Sequence, residues 1–219
     1  MKKSFNIVIA NRKGGVGKST LATNLAVEYS RKVGNTILVD VDISKTSLKF
    51  MERRADLELV NDTLKIALPQ TIDDLDKILE SDEIAEYKIV DVGGYNDTLA
   101  ITAIFGSDLL IVPISDSPQD KDTTVQFIET IKQAQTDGFL KDCIFVLNNV
   151  NPRSKFETLA KEVEYVREAG FDLYGAIGTY KIFSLGHGGG QSVCEINENS
   201  KASSAILKLI KGIQERNNG

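Results

Sequence analysis

Eight consecutive residues, Lys13-Gly14-Gly15-Val16-Gly17-Lys18-Ser19-Thr20, combine glycines, lysines and hydroxyls in an order that suits phosphate chemistry. The glycines let backbone N–H groups converge on phosphate oxygens. The start of a following helix adds partial positive charge, and Lys18 reaches the β- and γ-phosphates. The Ser19 hydroxyl is placed to ligate Mg2+. Arg12 stands where the general phosphate loop has its first glycine, and Lys13 is an additional cation beside it.

Carboxylates stand at the ends of two other apolar runs. Ile37-Leu38-Val39-Asp40-Val41-Asp42 carries two of them, and alternation along a strand puts Asp40 and Asp42 on one face. Tyr87-Lys88-Ile89-Val90-Asp91 ends in a third, followed by Gly93-Gly94, which reads as a phosphate-sensing turn. Carboxylates so placed orient an attacking water or hold a magnesium-bound one, which phosphoryl transfer requires. Taken singly, a strand-end aspartate also caps helices.

These residues need a scaffold, and the chain supplies one by alternation. Short β-branched runs occur at Phe5–Ala10, Thr36–Val41, Tyr87–Val92, Asp108–Ile114, Asp142–Val150 and, more weakly, Leu173–Ile177. Between them lie helical spacings such as Leu21, Leu25 and Tyr29 before Gly34, and Val125, Ile128 and Ile131 before Gly138. Near-continuous apolar strands joined by helices predict an α/β fold: a doubly wound, mostly parallel sheet flanked by helices. Ligands bind such sheets at the carboxyl ends of the strands, where the phosphate loop and aspartates stand.

Composition narrows the class further. The 219 residues, 42% of them apolar, fit one soluble domain spanning 1–219, with no repeat or linker to divide it. No apolar run approaches the roughly 20 residues of a membrane span, and Met1-Lys2-Lys3 leads into a strand rather than a secretory signal, so the expected location is the cytoplasm. Cys143 and Cys194 are too few and too separated for a disulfide framework or thiolate metal site. A net charge of −5 confines any nucleic-acid contact to a local patch.

The segment Lys13-Gly-Gly-Val-Gly-Lys18-Ser resembles the deviant phosphate loop of the ParA/MinD partition and positioning ATPases, and the resemblance runs over nearly the whole chain. It implies the cofactors ATP and Mg2+ and an ATPase whose hydrolysis is slow and partner-stimulated. In that family the first lysine, here Lys13, crosses to the partner's ATP, which implies an ATP-sandwich homodimer. The family's Asp-x-Asp assigns the catalytic water to Asp42 and puts Asp40 nearer the metal, although Ile43-Ser44 follows where Pro-Gln is frequent. Asp91 matches the aspartate that holds magnesium through water, and Asp91-Val92-Gly93-Gly94 is closer to the small plasmid-type members than to those with Asp-Thr-Pro-Pro. Ser115-Asp116-Ser117-Pro118 resembles the family's strand-end proline region, and proline there also simply ends a strand. Asn148 and Asn149 occupy the place where the family reads adenine; asparagines before a proline also make turns.

Leu173 to Cys194 contains no acidic residue and carries Lys181, His187 and a flexible Gly186-His187-Gly188-Gly189-Gly190 stretch. In small plasmid ParA proteins the corresponding segment contributes to non-specific DNA binding. Ile177 and Gly190-Gln191-Ser192-Val193 match it, whereas Tyr180 replaces the usual arginine. His187 reads as a loop residue without a ligand cluster. In the last helix Ile206, Leu209, Ile210 and Ile213 read as core-facing rather than as the membrane helix of MinD-like members, so no stable membrane insertion is expected. The phosphate loop lies so near the start that a separate operator-binding domain is not expected. The leading expectation is a plasmid- or chromosome-partition ATPase that binds DNA non-specifically, associates with the nucleoid, and answers to a ParB-like stimulator. The alternative is a MinD-like or cargo-positioning ATPase acting on a membrane or polar protein complex without DNA.

Overall fold

Runs such as Phe5-Asn6-Ile7-Val8-Ile9 and Thr36-Ile37-Leu38-Val39-Asp40 are buried on both faces, which only a sheet covered on both sides allows. The computed structural model describes residues 4–59, 61–93, 98–117 and 120–218. Gly94 and Pro118, named above for the turn after the Asp91 strand and for the proline region, lie outside them. Among the described residues the strands are β1 (Phe5–Ile9), β2 (Thr36–Asp40), β3 (Leu64–Ala67), β4 (Tyr87–Asp91), β5 (Leu109–Ile114), β6 (Cys143–Val150) and β7 (Asp172–Gly178). The helices are α1 (Lys18–Lys32), α2 (Thr46–Asp56), α3 (Ile72–Glu80), α4 (Thr98–Phe105), α5 (Lys121–Thr136), α6 (Phe156–Glu162), α7 (Glu164–Glu168), α8 (Lys181–Gly189), α9 (Val193–Ile196) and α10 (Lys201–Asn218).

The strands form one sheet in the order β3-β2-β4-β1-β5-β6-β7, every pairing parallel. The winding reverses around β1: β1 connects past β4 to β2 on one side, whereas β4 connects across β1 to β5 and the chain runs outward to β7, which opens a crevice at the carboxyl end of β1. Alternate side chains feed two cores. Val8, Val39, Val90 and Val112 pack with Leu75, Phe127 and Val166 on one face. Ile7, Leu38, Ile89 and Ile111 pack with Leu25, Phe50 and Ile206 on the other. The doubly wound expectation holds. Ile206, Leu209, Ile210 and Ile213 are buried as expected, and so are both cysteines.

Two features differ from the sequence reading. β3 is an edge strand of four residues with Lys65 exposed, too short and polar to announce itself, and it makes Tyr87–Asp91 the fourth strand rather than the third. The glycine-rich stretch read as flexible is the last part of α8, closed by Gly190 in the left-handed region (φ 68°). The turn is fixed from outside. Arg54, held by Glu195 through two hydrogen bonds of 2.7 Å, also donates to the Gly190 carbonyl. Ser192 caps α9 and donates to Glu28 at 2.6 Å, and the Val193 N–H donates to Asn24 on α1. The matching Ser-Val pair thus ties α9 to the helix that follows the phosphate loop. A Cβ on Gly190 would lie 2.3 Å from the Arg54 backbone nitrogen. Gly190→Ala is therefore expected to destabilise the protein by about 2–4 kcal/mol and to lower Tm by roughly 5–10 °C, measurable by thermal unfolding.

Candidate nucleotide site

The segment between β1 and α1 turns tightly over the carboxyl end of the sheet. Gly17 is the N-cap of α1 in the left-handed region (φ 88°), with no side chain capping the helix and no acidic residue in its first turn, so the first amides of α1 are open to an anion. Only glycine fits: a Cβ there would lie 2.3 Å from the Asn148 amide nitrogen. Asn148 holds the loop from below, donating to the Val16 carbonyl at 2.7 Å, while Asn149 reaches toward the Gly15 carbonyl at 3.4 Å. Asn11 completes the frame, accepting from the Lys13 N–H and donating to the Pro113 carbonyl at the end of β5.

The two lysines are placed differently. Lys18 curls back over the loop to donate to the Lys13 carbonyl at 3.0 Å. Burial pulls its pKa down, and the charges of Asp91 and Asp42 oppose that shift. Lys13 forms an ion pair with its own chain's Asp120, which also accepts from Ser115 at 2.5 Å. In the single chain, therefore, the lysine expected to cross a dimer interface rests on the N-cap residue of α5.

The aspartates converge unequally. β2 ends at Asp40, so alternation no longer governs Asp42. Asp40 is fully buried and turned under α2, its oxygens accepting from the Leu48 and Asp42 amides at 2.9 and 3.0 Å. Its register neighbour on β4 is Asp91, the other carboxylate expected at the metal. Asp42 stands at the rim beside Gly93, close enough that a Cβ on Gly93 would lie 2.6 Å from its Cγ, and the Ser44 amide holds its Oδ1 at 2.9 Å.

Asp91 is wholly buried. Ser47 of α2, a residue with no signature in the sequence, donates to its Oδ2 at 2.7 Å, and its buried Oδ1 has no hydrogen-bond partner among the described residues. Burial raises its pKa to about 7; the hydroxyls of Ser47 and Ser19 pull it back, and the charges of Asp40 and Asp42 push it further up. A buried carboxylate with one unsatisfied oxygen, beside Ser19 and the loop, fits a divalent cation. Among the described residues no cluster of three or more His, Cys, Asp or Glu side chains offers a protein-only metal cage, and Mg2+ held by a hydroxyl, a water-bridged carboxylate and phosphates needs none. Ser19 and Asp91 would hold the ion, which supplies charge neutralisation at the β- and γ-oxygens.

The Asp91 proton has a measurable consequence. Because the folded carboxyl keeps its proton to higher pH than the unfolded chain does, its effect on apo stability falls as pH rises from the ordinary carboxylate range to about 7, and is level above that. A cation beside it favours the ionised form. Uptake of Mg-ATP is therefore expected to release a proton below about pH 7, with affinity rising up to that pH and then flattening. Calorimetry in buffers of different ionisation enthalpy reads this directly, and absence of proton release at about pH 6 would contradict it.

Loop, Asp42 and Gly93 form one wall of a cleft of about 710 Å³. It is also lined, by a contribution unnoticed in the sequence, by α8 and the residues before it: Thr179, Tyr180, Phe183, Ser184 and His187. His187 lies on this helix rather than in a loop, its ring 5.6 Å from that of Phe50, and burial followed by the Arg53 charge lowers its pKa.

The fold is shared with known nucleotide-binding proteins. A family model described as "CobQ/CobB/MinD/ParA nucleotide binding domain" matches residues 7–184. The Maintenance of carboxysome distribution protein A of Halothiobacillus neapolitanus is 27% identical over 157 residues, 69% of each chain. A Borrelia burgdorferi protein solved with AMPPNP superposes with a TM-score of 0.74 at 17% identity, covering 98% of this chain and 100% of that one. The septum site-determining protein MinD of Pyrococcus horikoshii, complexed with Mg-ADP, superposes with a TM-score of 0.72 at 17% identity, covering 96% of each chain.

Proposed function

Because the chain belongs to the CobQ/CobB/MinD/ParA nucleotide-binding family, whose ParA and MinD members are ATPases using ATP with Mg2+, we propose that it is an ATP-switched positioning ATPase. ATP closes a homodimer, a partner carried by the cargo stimulates slow hydrolysis, and ADP returns the chain to the monomer. The observation that carries this reading is the convergence of Lys18, Asp42 and Asp91 on one phosphate-binding loop that also bears Lys13. Lys13 has the reach and charge for a second phosphate, and its pairing with Asp120 gives the monomer a resting place for that cation.

The track and the cargo are chosen on separate grounds. Support for non-specific DNA as the track comes from the acid-free stretch 173–194, which α8 presents as an ordered helical surface with Lys181 exposed. On that reading the cargo is a plasmid or chromosome and the stimulator a ParB-like protein. A second reading, a protein assembly as cargo, is favoured by the likeness to a protein named for carboxysome distribution. Among the described residues no helix is long and apolar enough to cross a membrane.

Sizing the protein with ATP and with ADP tests the switch: mass doubling with ATP alone is expected, and one mass in both states would overturn it. Titration of the ATP form with random duplex DNA and with anionic liposomes tests the track. Affinity for DNA that falls steeply with salt supports the DNA reading; binding to neither, or to liposomes alone, removes it.

A further inference from the structure

We propose that Tyr180 and Phe183 form the nucleobase platform of the cleft, so that stacking on aromatic area sets the preference among bases. The inference rests on the cleft being the nucleotide site and goes on to its specificity.

Tyr180 is the N-cap residue of α8, and Phe183 stands one turn on, its N–H donating to the Tyr180 carbonyl at 3.1 Å; spacing by three puts both rings on one side of the helix. Both line the cleft that the phosphate loop lines, and Tyr180 also lines a second cavity with Pro152 and Gly178. Neither ring is free to swing away. Tyr180 is seated over Gly178, where a Cβ would come within 2.9 Å of its ring, and both side chains rest against the core cluster under α1 and α10. Each presents a partly exposed aromatic surface in a position fixed by packing, which is the requirement for a stacking partner.

The asparagine amides are partly engaged by the loop through their Nδ2 groups. Asn148 is buried, does not wall the cleft, and donates its amide to the Val16 carbonyl. Asn149 does wall the cleft, but its amide leans toward the Gly15 carbonyl. The other polar side chains on that wall include the hydroxyls of Thr179 and Ser184, which donate and accept alike and so impose no edge pattern. Recognition then scales with stacked ring area, favouring purines over pyrimidines.

Calorimetric titration with Mg-ATP, Mg-UTP and Mg-tripolyphosphate tests the assignment. The wild type is expected to bind ATP at least about 10-fold tighter than UTP. Phe183→Ala or Tyr180→Ala is expected to weaken ATP by about 10-fold while leaving tripolyphosphate unchanged. Phe183→Tyr should restore ATP affinity. Phe183→Leu, which keeps an apolar volume against the core, should not, and it stands in if the alanine variant fails to fold. Equal ATP and UTP affinities, an unaltered ATP affinity in both alanine variants, or a parallel loss of ATP and tripolyphosphate would each overturn the platform. A wild type that binds none of the three ligands defeats the nucleotide reading itself, an outcome distinct from these.

Discussion

Replacing Lys18 by alanine is expected to weaken Mg-ATP binding by at least about 100-fold, because a charged hydrogen-bond donor aimed at phosphate is lost while the carboxylates facing it remain. The loop amides alone carry only partial charges. Lys18 also closes the loop on itself through the Lys13 carbonyl, and its cation faces Asp91 and Asp42 across the site. Without it the triphosphate would meet the carboxylates of Asp42 and Asp91 with less positive charge to offset them, since Lys13 is engaged by Asp120. Stability of the apo protein should change little, because the desolvation that lowers the Lys18 pKa disappears together with its favourable contacts. Calorimetry reads the effect, and a Kd within about threefold of wild type would mean that the amides of α1 suffice.

Much of this site could be read from residue order alone, for identifiable reasons. The phosphate loop is legible because its chemistry is local: glycines, Lys18 and Ser19 act from adjacent positions on one turn. The strands that lead to Asp42 and end in Asp91 are legible because fully buried parallel strands leave long apolar runs. What was not legible depends on tertiary packing. β3 pairs only with β2, along four residues. α8 looked like a flexible stretch because Gly186, Gly188 and Gly189 are poor helix formers. Its packing decides otherwise: Gly186 is buried where a Cβ would lie 2.6 Å from the Gln191 carbonyl oxygen, and Arg53 and Arg54 hold its far end through the His187 and Gly190 carbonyls. The orientation of Asp40 turned on where β2 stops, a boundary that a run of apolar residues does not mark. Ser47 and Asp120 reach the site from helix starts, and a lone serine or aspartate there usually means capping.

The Asp42→Ala variant should separate binding from turnover. Asp42 is half-buried at the rim, with Ser44 fixing one oxygen and Gly93 leaving room for the carboxylate, while the Ile43 side chain beside it is 87% exposed. Its charge is near enough to raise the Lys18 pKa, yet the loop does not depend on it for its hydrogen bonds. Removing it takes a negative charge away from the triphosphate, so ATP should bind as well as before or slightly better. The attacking water would lose the group that orients it, and phosphate release should fall by about 100- to 1,000-fold, the range for loss of one positioned catalytic group. A chain that binds ATP but does not cleave it accumulates in its ATP state, so the variant should elute at the larger size for as long as ATP is present. Asp91→Asn is expected to give the contrasting pattern, a weaker magnesium dependence of ATP binding itself, read by calorimetry across magnesium concentrations. Unchanged phosphate release in Asp42→Ala would remove this carboxylate from the chemistry, leaving water orientation to Mg2+ and the loop, and would undo the hydrolysis step of the proposed switch.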